Sequence, residues 1–355
     1  MEALISGRKT IHALQVFRGV AALLVVFYHA TQFLVVHYQV APLYGVFLFG
    51  FSGVHLFFVL SGFIILTIHH DDIGKPRQLW SYCKKRFVRI YPTYWATLAI
   101  VSTWALSKGL TTGPDIMRNL GLVTRPASYI NPVCWTLSCE MMFYIIFSVL
   151  IIHRRAGLVL LVCWASGVLV NYVNPIRVDW VSPILFHHFT VLFMIGLVAA
   201  YATIRSKSLD PKRRHRLAGV AGLAGVVLFS SVAVYCLANK ILDWGTWRFT
   251  IGFGLASGLL MACSLVEPLE KFFEKRRILR SLGNASYSIY LLHYLLVMIL
   301  TAWARDHIHA SGQLRVSLVF IAVCSVTILV GWFFYWCIER PMVRAIRGWF
   351  VGKAG

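Results

Sequence analysis

The chain has 355 residues, of which 59% are hydrophobic and 13% charged, with a mean hydropathy of +0.72 and a formal net charge of +21. Soluble domains carry about twice that charged fraction, so an ordinary soluble domain is excluded. Apolar runs of about 20 residues recur along the whole length and read as transmembrane helices.

In chain order, the hydropathy predicts ten spans, near 12–36, 45–68, 91–107, 132–152, 156–173, 183–204, 217–238, 248–266, 284–303 and 316–338. The expected fold is an all-α integral membrane protein, one domain over 1–355, without a Pro/Gly/Ser-rich linker, an internal repeat or a soluble C-terminal extension. The first apolar run is too long for a secretory signal, and Arg18 interrupts its start, so it is expected to stay as the first helix. With the N-terminus inside, 25 of the 34 Lys and Arg fall on inner segments and eight on outer loops. That bias fits ten helices with both termini cytoplasmic. It also reads the positive charge as topology facing a lipid bilayer, with no nucleic-acid partner. The eight cysteines lie in or beside spans and form no CxxC pair, which predicts buried free thiols, no disulfide framework and no metal site.

Ionisable groups inside spans are costly and mark candidate sites. The first span, "FRGVAALLVVFYHA" (17–30), holds two, Arg18 and His29. Eleven residues at ~100° and ~1.5 Å each put both on one face, ~16 Å apart along the axis. Of thirteen acidic residues, only Glu140, in "CWTLSCEMMFY", maps well inside a span; the others map to loops or helix ends. His29, His55, His187, His188 and His293 fall inside spans. His29 lies ~10 Å below the outer end of its helix and Glu140 ~12 Å below that of its own, so the two could meet at one level, with His55 near it. His293 lies ~14 Å above the inner end of its helix, close to the midplane. A His with a carboxylate partner is the arrangement of a general base. The plainer reading is that His29 and Glu140 only satisfy one another.

These stretches resemble the membrane acyltransferase-3 family. Arg18 and His29 match its hallmark of Arg or Lys, ten residues, then His. "GVHLFFVLSGFII" (53–65) resembles its second-helix signature, and "KRFVRIYPTYW" (85–95) carries its Arg-x-x-Arg as Arg86 and Arg89. "WTLSCEMMFY" (135–144), "LGNASYSIYLLHY" (282–294) and "IERP" (338–341) are similar to its later motifs. His55 stands where the family often has an acidic residue. The small residues of "SGF" (61–63) suit a close helix contact at Gly62.

The resemblance implies an enzyme of the bacterial inner membrane that uses acyl-CoA, acetyl-CoA first of all, as donor and a glycan or polysaccharide as acceptor. Arg18, Arg86 and Arg89 would then bind the donor, His29 would act as base oriented by Glu140, and His55, Tyr287, Ser288 and His293 would line the acceptor side. For Arg86 and Arg89 the plainer reading is a positive inner anchor. Two other classes stay open on the residues alone: a transporter or flippase of a polysaccharide or lipid precursor, and a structural subunit of an export complex.

Overall fold

A computed structural model describes residues 11–122, 128–173, 182–239, 245–264 and 267–351. The termini and, of the basic residues counted above, Arg8, Lys9, Arg125, Arg177, Lys240 and Lys353 lie outside the described residues. Within them the secondary structure is helical, without strands. The helices are α1 (His12–Tyr38), α2 (Ser52–His69), α3 (Leu79–Ser107), α4 (Gly113–Asn119), α5 (Trp135–Ile152), α6 (Arg154–Val173), α7 (Ser182–Leu185), α8 (Thr190–Ser206), α9 (Pro211–Ala238), α10 (Trp247–Cys263), α11 (Glu267–Glu274), α12 (Arg277–His307), α13 (Gln313–Phe334) and α14 (Arg340–Val351). A π-helical turn, Tyr335–Glu339, joins α13 to α14.

Seven helices among the described residues are long and apolar enough to cross a membrane, or eight if Trp247–Cys263 and Pro268–Glu274 form one bent span. The other two of the ten expected spans fall on α3 and α8. Helix α8 has only 17 residues. Helix α3 begins at Leu79, so its first half carries Lys84, Lys85, Arg86 and Arg89 and only the remainder is apolar.

The chain divides into two units, residues 1–68 with 192–332 and residues 69–191 with 333–355. In the first unit α1 packs on α12 with the backbones nearly touching: a Cβ at Gly19 would lie 3.1 Å from the Gly283 nitrogen, and one at Gly283 would run into the Gln15 carbonyl oxygen. Further along, His29 meets His293 and Tyr294, Phe33 meets Tyr294, and the Tyr38 hydroxyl donates to the Ile308 carbonyl. Residue numbers rise together on both helices, so α1 and α12 run in the same direction. Helix α13 runs against α12, since Gly331 packs on Ile289 and the Trp332 indole donates to Ser281.

Gly50 and Gly53 sit against the α1 carbonyls of Leu24 and Ala21, and Gly62 and Gly196 hold α2 against α8 through the Phe193 and Val59 carbonyls. Small residues let these helices approach to backbone contact, which is the packing role expected of Gly62. The Glu270 carboxylate of α11 caps α1, accepting from the His12 and Ala13 amides at 2.6 and 3.1 Å. This places a negative charge at a helix N-terminus, where it is favourable.

In the second unit α5 packs against α6, and Gly157 lies so close to Leu150 that a Cβ would strike its backbone. Helix α3 packs on α5, on the π turn and on α14. Tyr94 donates to the Asn119 carbonyl at the end of α4, and the Asn119 amide donates to the Asp115 and Ser128 carbonyls. The short extramembrane helix is thus tied to α3.

Candidate active site

In the first unit the α1–α12 contact fixes where two histidines meet. His29 follows Gly19 by ten residues, and His293 follows Gly283 by ten. Equal advance along parallel helices brings both to one level, ~15 Å from the glycine contact. Their ring centroids are 5.2 Å apart at 33°. His293 is fully buried, and its Nδ1–H donates to the Tyr290 carbonyl one turn earlier. Its Nε2 has no hydrogen-bond partner. His29 is half-buried with the Gln32 side chain beside it, and the Gln32 amide Nε2 donates to the Tyr28 hydroxyl at 2.7 Å. The Tyr294 ring stands edge-on to His29 at 5.3 Å, and Phe33 stands edge-on to Tyr294 at 5.6 Å.

The polar side chain set beside His29 within this unit is Gln32, a neighbour at i+3 that sequence reading passed over. An i, i+3 pair shares a helix face, so the signal was present, but a neutral amide in an apolar run attracted no attention.

The other expected residues of this unit are distributed around the pair. Arg18 is buried, only 5% exposed, beside the Gly19–Gly283 contact. His55 is fully buried between the Phe51 and Phe253 rings, each at 5.8 Å, with Nδ1 3.4 Å from the Phe51 carbonyl. Tyr287 shares the face of Tyr294, seven residues on, whereas Ser288 lies ~140° round α12 from His293. The helix thus does not set Ser288 on the His293 face.

In the second unit the structure gathers residues that the sequence assigned to separate tasks. Arg86, 4% exposed, lies over the Tyr144 and Tyr82 rings at 5.3 and 6.0 Å. The Tyr144 hydroxyl donates to Glu140 Oε1, and the Tyr82 hydroxyl donates to the Tyr144 carbonyl at 2.9 Å. Arg86 and Glu140 both act electrostatically on Tyr82. Arg89, half-buried, shares the neighbourhood of Tyr335 with Glu339, Arg340 and Arg344.

Glu339 is a second acidic residue enclosed by the protein. It had been read as a helix end, but the helix continues through the π turn to Val351, and Glu339 is 0% exposed. Nor do His187 and His188 lie inside a helix: they form the turn between α7 and α8, with His187 5.0 Å from the Trp135 ring. Among the described residues no three His, Cys, Asp or Glu side chains cluster closely enough to hold a metal ion, and the eight cysteines are free.

The chain that carries these groups is similar in sequence to known proteins. The model of the acyltransferase domain matches residues 11–336. The chain belongs to the acyltransferase-3 family. It is an enzyme that transfers acyl groups and a multi-pass membrane protein. It is 28% identical over 328 residues to the exopolysaccharide production protein ExoZ of Rhizobium meliloti (strain 1021), covering 85% of this chain and 92% of that one. It is 25% identical over 336 residues to a Staphylococcus aureus (strain COL) protein whose name assigns it provisionally to the O-acetyltransferases, covering 82% of this chain and 52% of the relative. It is 24% identical over 293 residues to the peptidoglycan O-acetyltransferase OatA of Listeria monocytogenes serovar 1/2a (strain ATCC BAA-679 / EGD-e), covering 71% and 46%. The chain thus spans about half the length of the last two. No solved structure matches it.

Proposed function

We propose that this acyltransferase moves an acetyl group from acetyl-CoA at the cytoplasmic face of a bacterial inner membrane to a hydroxyl of a cell-surface or exported polysaccharide, or of its lipid-linked precursor. The relatives named for exopolysaccharide production and for peptidoglycan O-acetylation support the acceptor class. Membership of the family displaces the transporter and structural-subunit readings.

The observation that carries the proposal is His29. It is half-buried, beside Gln32, and on the same helix as the buried Arg18 ~16 Å away. In this reading His29 takes the proton of the acceptor hydroxyl while its oxygen bonds the acyl carbon. The C–S bond then breaks, and the imidazolium returns the proton to the departing thiolate. Arg18 holds the donor arm or a phosphate. Arg89, half-buried, is a second cationic candidate, whereas Arg86 is enclosed by Tyr82 and Tyr144. Glu140, expected to orient His29, has Tyr144 and the neighbourhood of Arg86, and we assign it to holding Arg86.

Both termini belong on one side of the membrane in this reading. Helices α1 and α12 run one way and α13 returns, so a chain that enters α1 from the cytoplasm leaves α13 into it, whatever number of crossings intervenes. The basic inner segments support the cytoplasmic side.

The test is twofold. Purified protein in detergent receives acetyl-CoA labelled in the acetyl group, and glycans of a deletion strain are weighed against those of the parent. Transfer of label to a hydroxyl and loss of an acetyl mass increment are expected. A protein that leaves the thioester intact, in a strain whose glycans keep every acetyl group, would overturn the reading.

A further inference from the structure

The hydrogen of His293 is committed away from His29. His293 gives its Nδ1–H to the Tyr290 carbonyl, which fixes the tautomer and leaves Nε2 a lone pair without a hydrogen. That nitrogen is buried and has no partner. A buried acceptor in this condition is costly to keep. His29 stands against it, with Gln32 at its other side. With the amide nitrogen of Gln32 given to the Tyr28 hydroxyl, the amide carbonyl oxygen is the group suited to an N–H of His29. His29 thus stands beside a buried acceptor that no group among the described residues satisfies.

The approach to the pair is aromatic. His29, Gln32, Phe33 and Tyr294 are all half-buried, while His293 behind them is fully buried. Tyr294 and Phe33 form a wall beside His29. With His29 as base, a ligand satisfying this arrangement carries two O–H donors and an apolar C–H face to lie on a ring. The thioester of the donor cannot do so, because its oxygen and sulfur are acceptors only.

We infer that His293 determines acceptor specificity: its Nε2 accepts a hydrogen bond from a second hydroxyl of the acceptor while His29 takes the proton of the first, so the acceptor is a polyol with neighbouring hydroxyls, such as a sugar ring. The inference rests on the reading of His29 as the base. A site built to receive a hydroxyl discriminates strongly against an analogue lacking it, since the buried acceptor is then left unpaired.

The experiment uses the full chain in detergent micelles, labelled with ¹⁵N-histidine, with methyl α-glucopyranoside and cyclohexanol as probes. At neutral pH the His293 Nε2 resonance is expected to be that of an unprotonated nitrogen, and to shift saturably with the glucoside but not with cyclohexanol. In acetyl transfer, His293→Phe should raise the KM for the glucoside about tenfold, the value of one hydrogen bond, and leave the KM for acetyl-CoA unchanged. His293→Asn, which keeps an acceptor, should recover part of the loss. A protonated Nε2 would overturn the inference, as would equal responses to the two probes. So would a His293→Phe protein whose donor and acceptor affinities fall in parallel with its melting temperature. A response of Nε2 to the glucoside without acetyl transfer to any hydroxyl would leave His293 as a hydroxyl-binding group and overturn the acetyl-transfer reading on which the inference rests.

Discussion

The first unit joins two imidazoles, with the buried Arg18 ~16 Å away along α1, whereas the second gathers charges of both signs at one place. His29 and His293 meet through their rings, the first beside the Gln32 amide and the second tied by one hydrogen bond to a carbonyl of its own helix. Arg86 and Glu140 sit instead among Tyr82 and Tyr144, with charges of both signs acting on one tyrosine. A cluster of opposite charges loses mutual attraction if it takes up a charged ligand, and separating buried charges is expensive. An unpaired neutral acceptor gains from a ligand and gives up nothing. On the function proposed above, the difference puts the chemistry at the histidine pair and the holding of helices at the arginine–carboxylate cluster.

The sharpest way to break this comparison is His29→Ala. A general base contributes ~10²–10⁴-fold, so single-turnover transfer should fall by that factor, while acetyl-CoA binding and melting temperature hold. Gln32→Leu, which takes the amide from beside His29 and from the Tyr28 hydroxyl, should cost about tenfold. Parallel losses of rate and stability in His29→Ala would make the first unit as structural as the second.

Glu140→Gln tests the other half. It should lower thermal stability in detergent by about 1–3 kcal/mol, because Arg86 loses its balancing charge while Glu140 is only half-buried. In a cycle with Arg86→Met the two changes should be non-additive by ~0.5–3 kcal/mol. Additive effects, with transfer abolished at unchanged stability, would return Glu140 to the chemistry.

What the sequence disclosed about these clusters was local. Arg18 and His29 share a face because helix geometry alone decides it, and Gly62 could be read as a contact because a missing side chain is visible without a partner. The level at which His29 meets His293 depends on Gly19 meeting Gly283, 264 positions apart, and nothing in either segment announces that register. Arg86 and Glu140 were given separate tasks for the same reason: the tyrosines joining them lie on two helices. Glu339 was placed at a helix end because "IERP" looks like one, with a Pro that commonly stops a helix. A π turn carries the helix past it, and such turns are frequent where a helix serves a function.

Arg18→Ala sharpens the first unit's own division of labour. Arg18 would contact the donor throughout the reaction, so its loss should raise the KM for acetyl-CoA about tenfold with kcat little changed, the signature of lost uniform binding. Arg18→Lys should recover part of the affinity, since a point charge still meets a phosphate, though not bidentately. A fall in kcat with KM unchanged would put Arg18 at the reacting atoms and collapse its separation from His29.

The smallest effect is expected at Asp115, which lies in the second unit but outside its ionic cluster. Asp115 closes a capping box on α4: its carboxylate accepts from the Thr112 hydroxyl and amide, at 2.5 and 3.2 Å, and from Arg118 at 3.0 Å. The Thr112 hydrogen bonds first, and then the Arg118 charge, hold the carboxyl below its ordinary value. A carboxyl whose pKa is lower folded than unfolded stabilises the fold above its unfolded pKa, and that stabilisation is lost as pH falls through the folded value. Asp115→Asn should therefore lower the melting temperature slightly at pH 7, and the gap from wild type should close as pH drops below about 4. Acetyl transfer at pH 7 should not change. A gap that persisted in acid would mean that the carboxylate charge is not what stabilises α4. A loss of kcat in Asp115→Asn would mean that the second unit cannot be disturbed without disturbing the first, and the division between holding and chemistry would fail at its weakest-coupled point.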